Sequence, residues 1–294
     1  MIGVTVHRPT VRRQSRCGDR SSTGRLTSPR VPADQLARVA ALPGVSVAVA
    51  EARAAVDRLL AHRLLRRRSA EVSAECALRT ARASAALEGT DVALEELRAA
   101  MAAIAPVPPV LAGALRVAAG LGGSTSTWER APRQALARLH LLAVGATEVA
   151  DLVGRPRGDT VAEDPLGLGV PPAPMEVAAR LDGLAAALVA PSSAPALVVA
   201  AVVHGELLAL RAFGTRDGVV ARAAARLVLI GRGLDPKAVT APEVGHVEDG
   251  GYATRARGYR DGDVAGWVVH CCAATALGAR EGLAVAAALQ RADG

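Results

Sequence analysis

The chain has 294 residues, 51% hydrophobic and 21% charged, enough apolar material for one sizeable core. Aromatic residues are only 2%, alanine exceeds a fifth of the chain, and arginine supplies every fixed cation except Lys237. Helix formers abound and strand-favouring aromatics are scarce, so an all-α fold is expected and a sheet sandwich or base-stacking module is disfavoured.

The formal net charge of +7 is unevenly placed. Residues 1–33 hold Arg8, Arg12, Arg13, Arg16, Arg20, Arg25 and Arg30 against Asp19, so nearly all of the excess sits there and the remainder is close to neutral. A nucleic-acid-reading domain carries its own positive face, which makes nucleic acid an unfavoured partner, reachable only through this tail. Residues 1–33 have no apolar periodicity and read as a disordered basic tail without a secretory h-region. The four cysteines (Cys17, Cys76, Cys271, Cys272) show neither disulfide nor zinc-ligand spacing, so no metal site is expected and a reducing cytoplasm fits. The most apolar stretch, residues 184–203, is broken by Pro191 and Pro195, and no membrane association is expected.

From Asp34 the hydrophobic spacing turns helical and predicts one helical domain over 34–294. Expected helices span residues 47–68, 69–87, 94–104, 110–121, 132–152, 175–188, 196–210, 218–230, 264–279 and 281–291. Ser69 is the expected N-cap of the second and Gly89 its stop. Arg66, Arg67 and Arg68 read as a solvated helix end. The Gly- and Pro-rich stretch 154–174 reads as a functional loop with room for a short β-hairpin flap. Residues 243–252 read as loop, and Asp261-Gly-Asp263 as a turn and N-cap for the last helices.

Two segments draw attention. Residues 196–210 are apolar nearly all round apart from His204 and Glu206, the pattern of a central buried helix. Residues 218–230 are nearly as apolar, with Arg222 and Arg226 one turn apart. The loop between them, Arg211-Ala-Phe-Gly-Thr-Arg-Asp217, followed by a helix N-terminus, can offer free backbone N–H groups to an anion. His204 and His140 read as core histidines, His204 donating to a backbone group or Glu206.

The stretch from His204 to Arg222 resembles the core of Fic (Fido) domain proteins, whose motif reads HPFx(D/E)GNGRxxR with another His seven residues earlier. Without gaps, His204 matches the earlier His, Phe213 the motif Phe, Gly218 the second Gly and Arg222 the last Arg. Upstream, Ser84-Ala-Ala-Leu-Glu88-Gly89 is similar to the family's inhibitory-helix pattern (S/T)xxxE(G/N). Leu139-His140, Gly154-Arg-Pro-Arg157, the approach to Met175, Tyr252, Gly262-Asp263 and Trp267 follow in similar order, so the resemblance covers about residues 40–290.

The resemblance implies an all-α Fic/Doc-like bundle, with N-terminal helices that include the inhibitory one over 34–92 and a core over 93–294. It also implies an enzyme that transfers AMP from ATP to a protein hydroxyl. In that chemistry the motif His is the general base, the loop amides and helix N-terminus hold the phosphates, the acid holds Mg²⁺ and arginines neutralise charge. Here Arg211 stands for the His, Thr215 for the acid, Arg216 for the first Gly, Asp217 for the Asn and Val219 for an Arg. Arginine stays protonated and cannot serve as a base.

The expected site is therefore a degenerate nucleotide or phosphate loop: Phe213, Gly214, Thr215, Arg216, Asp217, Gly218 and Arg222. It has no assigned catalytic residue and no metal ligand, and its expected ligand is ATP, another nucleotide or an anion. The family's inhibitory pair survives, so Glu88 is expected to form a buried ion pair with Arg222, with Ser84 and Gly89 in the same motif. The favoured function is a catalytically impaired Fic-like protein acting by nucleotide or anion binding or by contact with a protein partner. A live nucleotidyl or phosphoryl transferase using Asp217 or His204 in new roles is the alternative, and nucleic-acid binding through the tail a second.

Overall fold

A computed structural model describes residues 34–145 and 152–292. The tail expected over 1–33 lies outside the described residues, as do residues 146–151. The described residues contain thirteen α-helices and no strand. They are α1 (Gln35–Ala40), α2 (Val45–Leu60), α3 (Ser69–Ala86), α4 (Leu94–Ala102), α5 (Pro109–Gly120), α6 (Thr125–Arg130), α7 (Pro132–Val144), α8 (Pro174–Val189), α9 (Ala196–Leu210), α10 (Asp217–Gly231), α11 (Pro242–Asp249), α12 (Tyr252–Arg260) and α13 (Val264–Arg291).

The core is organised around α9, which is buried on nearly every side because it presents almost no polar surface in any direction. Helix α10 packs along it, and α1, α12 and α13 cover the rest. Helix α13 also packs on α2, α3 and α11. Its crossing with α11 is close because Gly245 is there: a Cβ on that residue would stand 2.0 Å from the Ala274 carbonyl oxygen. Trp267, fully buried on α13, donates its indole N–H to the Ala201 carbonyl of α9 at 2.7 Å. A smaller satellite core joins α3, α4 and α5 through Ala85, Leu97 and Leu111.

Several expected boundaries move. Helix α2 ends at Leu60, and a 3₁₀ turn at Arg63–Arg66 precedes α3. The arginines of residues 66–68 therefore do not form one helix end, and Arg68, the N-cap of α3, bonds Glu71. Ser69 is the first helical residue and caps nothing. Helices expected over 264–279 and 281–291 are one continuous helix, because Gly278 and Gly282 sit under the backbone of residues 239–242 and interrupt nothing. By length and composition α13 could cross a membrane, and half of its apolar window is buried in the bundle.

Residues 243–252, read as loop, form α11 and the start of α12. Pro242 opens α11 at a position where its missing N–H costs nothing, and Glu243 and His246, one turn apart, are both buried. The stretch 154–173 contains turns and no hairpin, held by side-chain bonds rather than by a ladder. Asp263 does cap the last helix, accepting the Gly266 N–H at 2.9 Å.

Candidate functional site

The site is built where α9 stops and α10 begins. Arg211 ends α9 in the left-handed region (φ 43°), Gly214 follows at φ 82°, and Arg216 precedes α10 at φ 54°. These three positive-φ residues reverse the chain within a short loop. Asp217 then closes the loop on itself: its Oδ1 accepts the Phe213 N–H at 2.9 Å. Its other oxygen, Oδ2, is buried without a partner. Burial pushes this carboxyl up to about 7, and the nearby Glu88 carboxylate adds to the rise while the loop amides oppose it.

The 154–172 segment fastens the loop from outside. Arg157, buried, donates to the carbonyls of Arg211 (2.9 Å), Leu210 (3.3 Å) and Pro172 (2.6 Å), satisfying the C-terminus of α9. The Arg157 and Glu163 amides donate to the Ala212 and Gly214 carbonyls, both at 2.8 Å. Glu163 also accepts the Arg216 amide at 3.2 Å and its guanidinium at 3.1 Å. Arg211 turns away from the loop to the Gly169 carbonyl (2.5 Å) and Asp164 (3.4 Å). His140 stacks on Phe213 with ring centroids 4.4 Å apart, accepts the Gly154 amide and meets the Thr215 hydroxyl at 3.3 Å. Burial brings this imidazole down to about 4, so it is neutral at pH 7.

Arg222, in the second turn of α10, lies in the interior with a 1% exposed side chain. Its Nη2 reaches Glu88 Oε1 at 2.6 Å and the Ser84 carbonyl at 3.0 Å. Its Nε donates to Ser84 Oγ at 2.9 Å and its Nη1 to Tyr252 Oη at 3.1 Å. Burial works against this cation, but Tyr252 and Glu88 hold its pKa above the usual guanidinium value. Glu88 can be here because Gly89, at φ 85°, turns the chain just after α3 and because Gly218 has no side chain. A Cβ on Gly218 would stand 2.0 Å from Glu88 Oε1.

Of the expected loop residues, Phe213, Gly214, Thr215, Asp217 and Gly218 lie together, whereas the three arginines do not converge. Arg211 is held by Asp164 and Gly169, Arg216 by Glu163, and Arg222 by Glu88. A hollow beside Arg211 is lined by Glu88, Glu163, Asp164, Asp217 and Gly218 among others, and at about 10 Å³ it holds about one water. His204 does not use Glu206, which pairs with Arg180; its Nε2 meets Tyr252 Oη at 2.8 Å. The sequence gives no sign that Arg157, Glu163 and Asp164 are fasteners, because loop charges carry no periodic signal. Glu243 and His246 also escape the sequence reading, although Pro242 followed by their one-turn spacing is a usable sign.

No family model matches the sequence, and no curated protein matches it. Among solved structures, the chain is similar to the crystal structure of a Fic family protein from Desulfovibrio desulfuricans G20, with 20% identity and a TM-score of 0.68 over 83% of this chain and 75% of that one. At that identity the likeness speaks for the fold, and it does so over most of both chains. The protein has an all-α, Fic-like fold.

Proposed function

We propose that this Fic-like protein carries a degenerate AMP-transfer site and acts by binding a protein partner rather than by transferring a nucleotide. The observation that carries this reading is that the anion loop is occupied by the protein's own carboxylates. Asp217 takes the Phe213 amide, Glu163 takes the Arg216 amide, and Glu88 sits against Gly218 at the start of α10. These are groups through which a phosphate would be held at a helix N-terminus. Arg211, in the place of the motif base, is a cation paired with Asp164 and cannot accept a proton.

The test is transfer of radiolabel from α-labelled ATP, with Mg²⁺, to itself or to lysate proteins, by the wild type and by Glu88→Ala. No transfer by either is expected, and calorimetric titration with ATP, ADP and AMP should show no binding tighter than about 1 mM (roughly 4 kcal/mol). Labelled product from either protein overturns the reading.

One observation favours a second reading, a transferase with rearranged chemistry. Asp217 combines an unpartnered buried oxygen with a pKa of about 7, the range of a working general base. In that case transfer appears in Glu88→Ala and disappears in Glu88→Ala/Asp217→Asn.

A further inference from the structure

Beyond the Arg222 lock, three helices bring together side chains that their positions in the chain keep far apart. His204 from α9, His246 from α11 and Cys271 from α13 are all buried, and one donor atom from each lies within 4.8 Å of the others. With Arg222, Arg226 and Glu243 they line a cavity of about 20 Å³.

Hydrogen bonds orient the rings. Asp249 Oδ2 lies 3.0 Å from His270 Nδ1, and a carboxylate accepts, so that nitrogen carries the proton. His246 Nδ1 lies 2.9 Å from His270 Nε2. His246 Nε2 makes no hydrogen bond among the described residues. A carboxylate that holds one imidazole against a second, whose far nitrogen has no hydrogen-bond partner, is an arrangement that orients a histidine toward a metal. His204 Nε2 lies 2.8 Å from Tyr252 Oη, and Cys271 adds a soft sulfur. Glu243 Oε2, buried and without a partner on the rim of the same cavity, is an independent sign that a polar occupant belongs there.

We propose that His204, His246 and Cys271 form a buried site for one thiophilic d¹⁰ metal ion, Cu⁺ or Zn²⁺. Binding releases the Cys271 proton to solvent as the sulfur–metal bond forms. Ligand atoms about 2.0–2.3 Å from a shared ion stand at most about 4 Å apart, so closure requires shifts below about 1 Å. Charge ranks the two ions. Exchanging the Cys271 proton for Cu⁺ leaves the charge of the site unchanged, whereas Zn²⁺ adds a positive unit beside Arg222 and Arg226, which line the same cavity. Tyr252, bonded to both His204 and Arg222, ties the site to the Glu88 lock.

The full chain, unfolded and refolded under reductant with Cu⁺ or with Zn²⁺ and then desalted, is assayed for metal. One ion per chain is expected, with Cu⁺ displacing Zn²⁺. Cys271→Ser and His246→Gln, shown to be folded by circular dichroism, should retain less than a tenth of it. Cys272→Ser should retain all of it, since Cys272 is also buried on the same helix but outside the cluster. X-ray absorption of the loaded wild type, which needs no variant, should show one sulfur and two imidazole nitrogens. Folded protein that retains neither ion, an absorption spectrum without sulfur, or equal loss in Cys272→Ser overturns the site; preference for Zn²⁺ overturns the charge ranking.

Discussion

Helix α10 carries two arginine–carboxylate pairs at its start that share their chemistry and differ in their surroundings. Arg222–Glu88 is 2.6 Å long with side chains 1% and 6% exposed, and Arg216–Glu163 is 3.1 Å long with side chains 18% and 46% exposed. In the first, water is excluded and the two groups depend on each other, because either one alone would be a bare charge in the core. In the second, water competes for both partners and the pair positions a loop at little net gain. The same bond thus acts as a lock in one place and a light fastener in the other.

The largest test of that contrast removes the buried acid. Glu88→Ala leaves Arg222 with Ser84 and Tyr252 only, and unfolding by urea should show a loss of about 3–5 kcal/mol. A loss below about 1 kcal/mol would mean that water reaches Arg222 and that the lock is no different from the surface pair.

Asp217 provides the next test. Its folded pKa of about 7 lies above the ordinary value of 3.8, so the folded state holds the proton more tightly and loses stability as pH rises from about 4 to about 7. Asp217→Asn keeps an oxygen for the Phe213 amide and removes the titration. Its stability relative to wild type should therefore improve by roughly 2–4 kcal/mol between about pH 4.5 and about pH 8. A pH-independent difference would place Asp217 in contact with solvent.

Gly218→Ala probes the seat of Glu88. The added methyl would stand 2.0 Å from Oε1, so either the carboxylate or α10 must shift, at a cost of about 1–3 kcal/mol. In the Glu88→Ala background the same substitution should cost clearly less, and equal costs would show that Gly218 answers to something other than Glu88. The smallest effect is expected from Glu163→Ala, about 0–1 kcal/mol, with faster amide exchange at Arg216, whose N–H it accepts. A loss comparable to that of Glu88→Ala would erase the distinction between the two pairs.

Much of this architecture is legible in the sequence. Helix α9 is readable to the residue because an all-apolar segment bounded by Pro195 and Arg211 has few alternatives to a central buried helix. The SxxxEG stretch and the helix–loop–helix after residue 196 also stand in the right order. What local pattern does not supply is the end of α2 and the continuity of α13. Each of these depends on packing: α13 continues through Gly278 and Gly282 because residues 239–242 lie against it. The loop is harder still. Its composition suggests an open cradle for anions, whereas its own Asp217 fills it together with Glu88 and Glu163 from elsewhere in the chain.

Composition and periodicity suffice for the all-α class and the buried central helix, since those follow from which residue types are present and how they recur along a helix. The Glu88–Arg222 pair is implied by the resemblance, whereas the folded chain alone decides that Ser84 and Tyr252 also meet Arg222, that Glu163 meets Arg216, and that His204, His246 and Cys271 share a cavity. Those pairings join residues as distant as 84 and 222, or 204 and 271, and proximity across such separations is created by packing rather than by spacing.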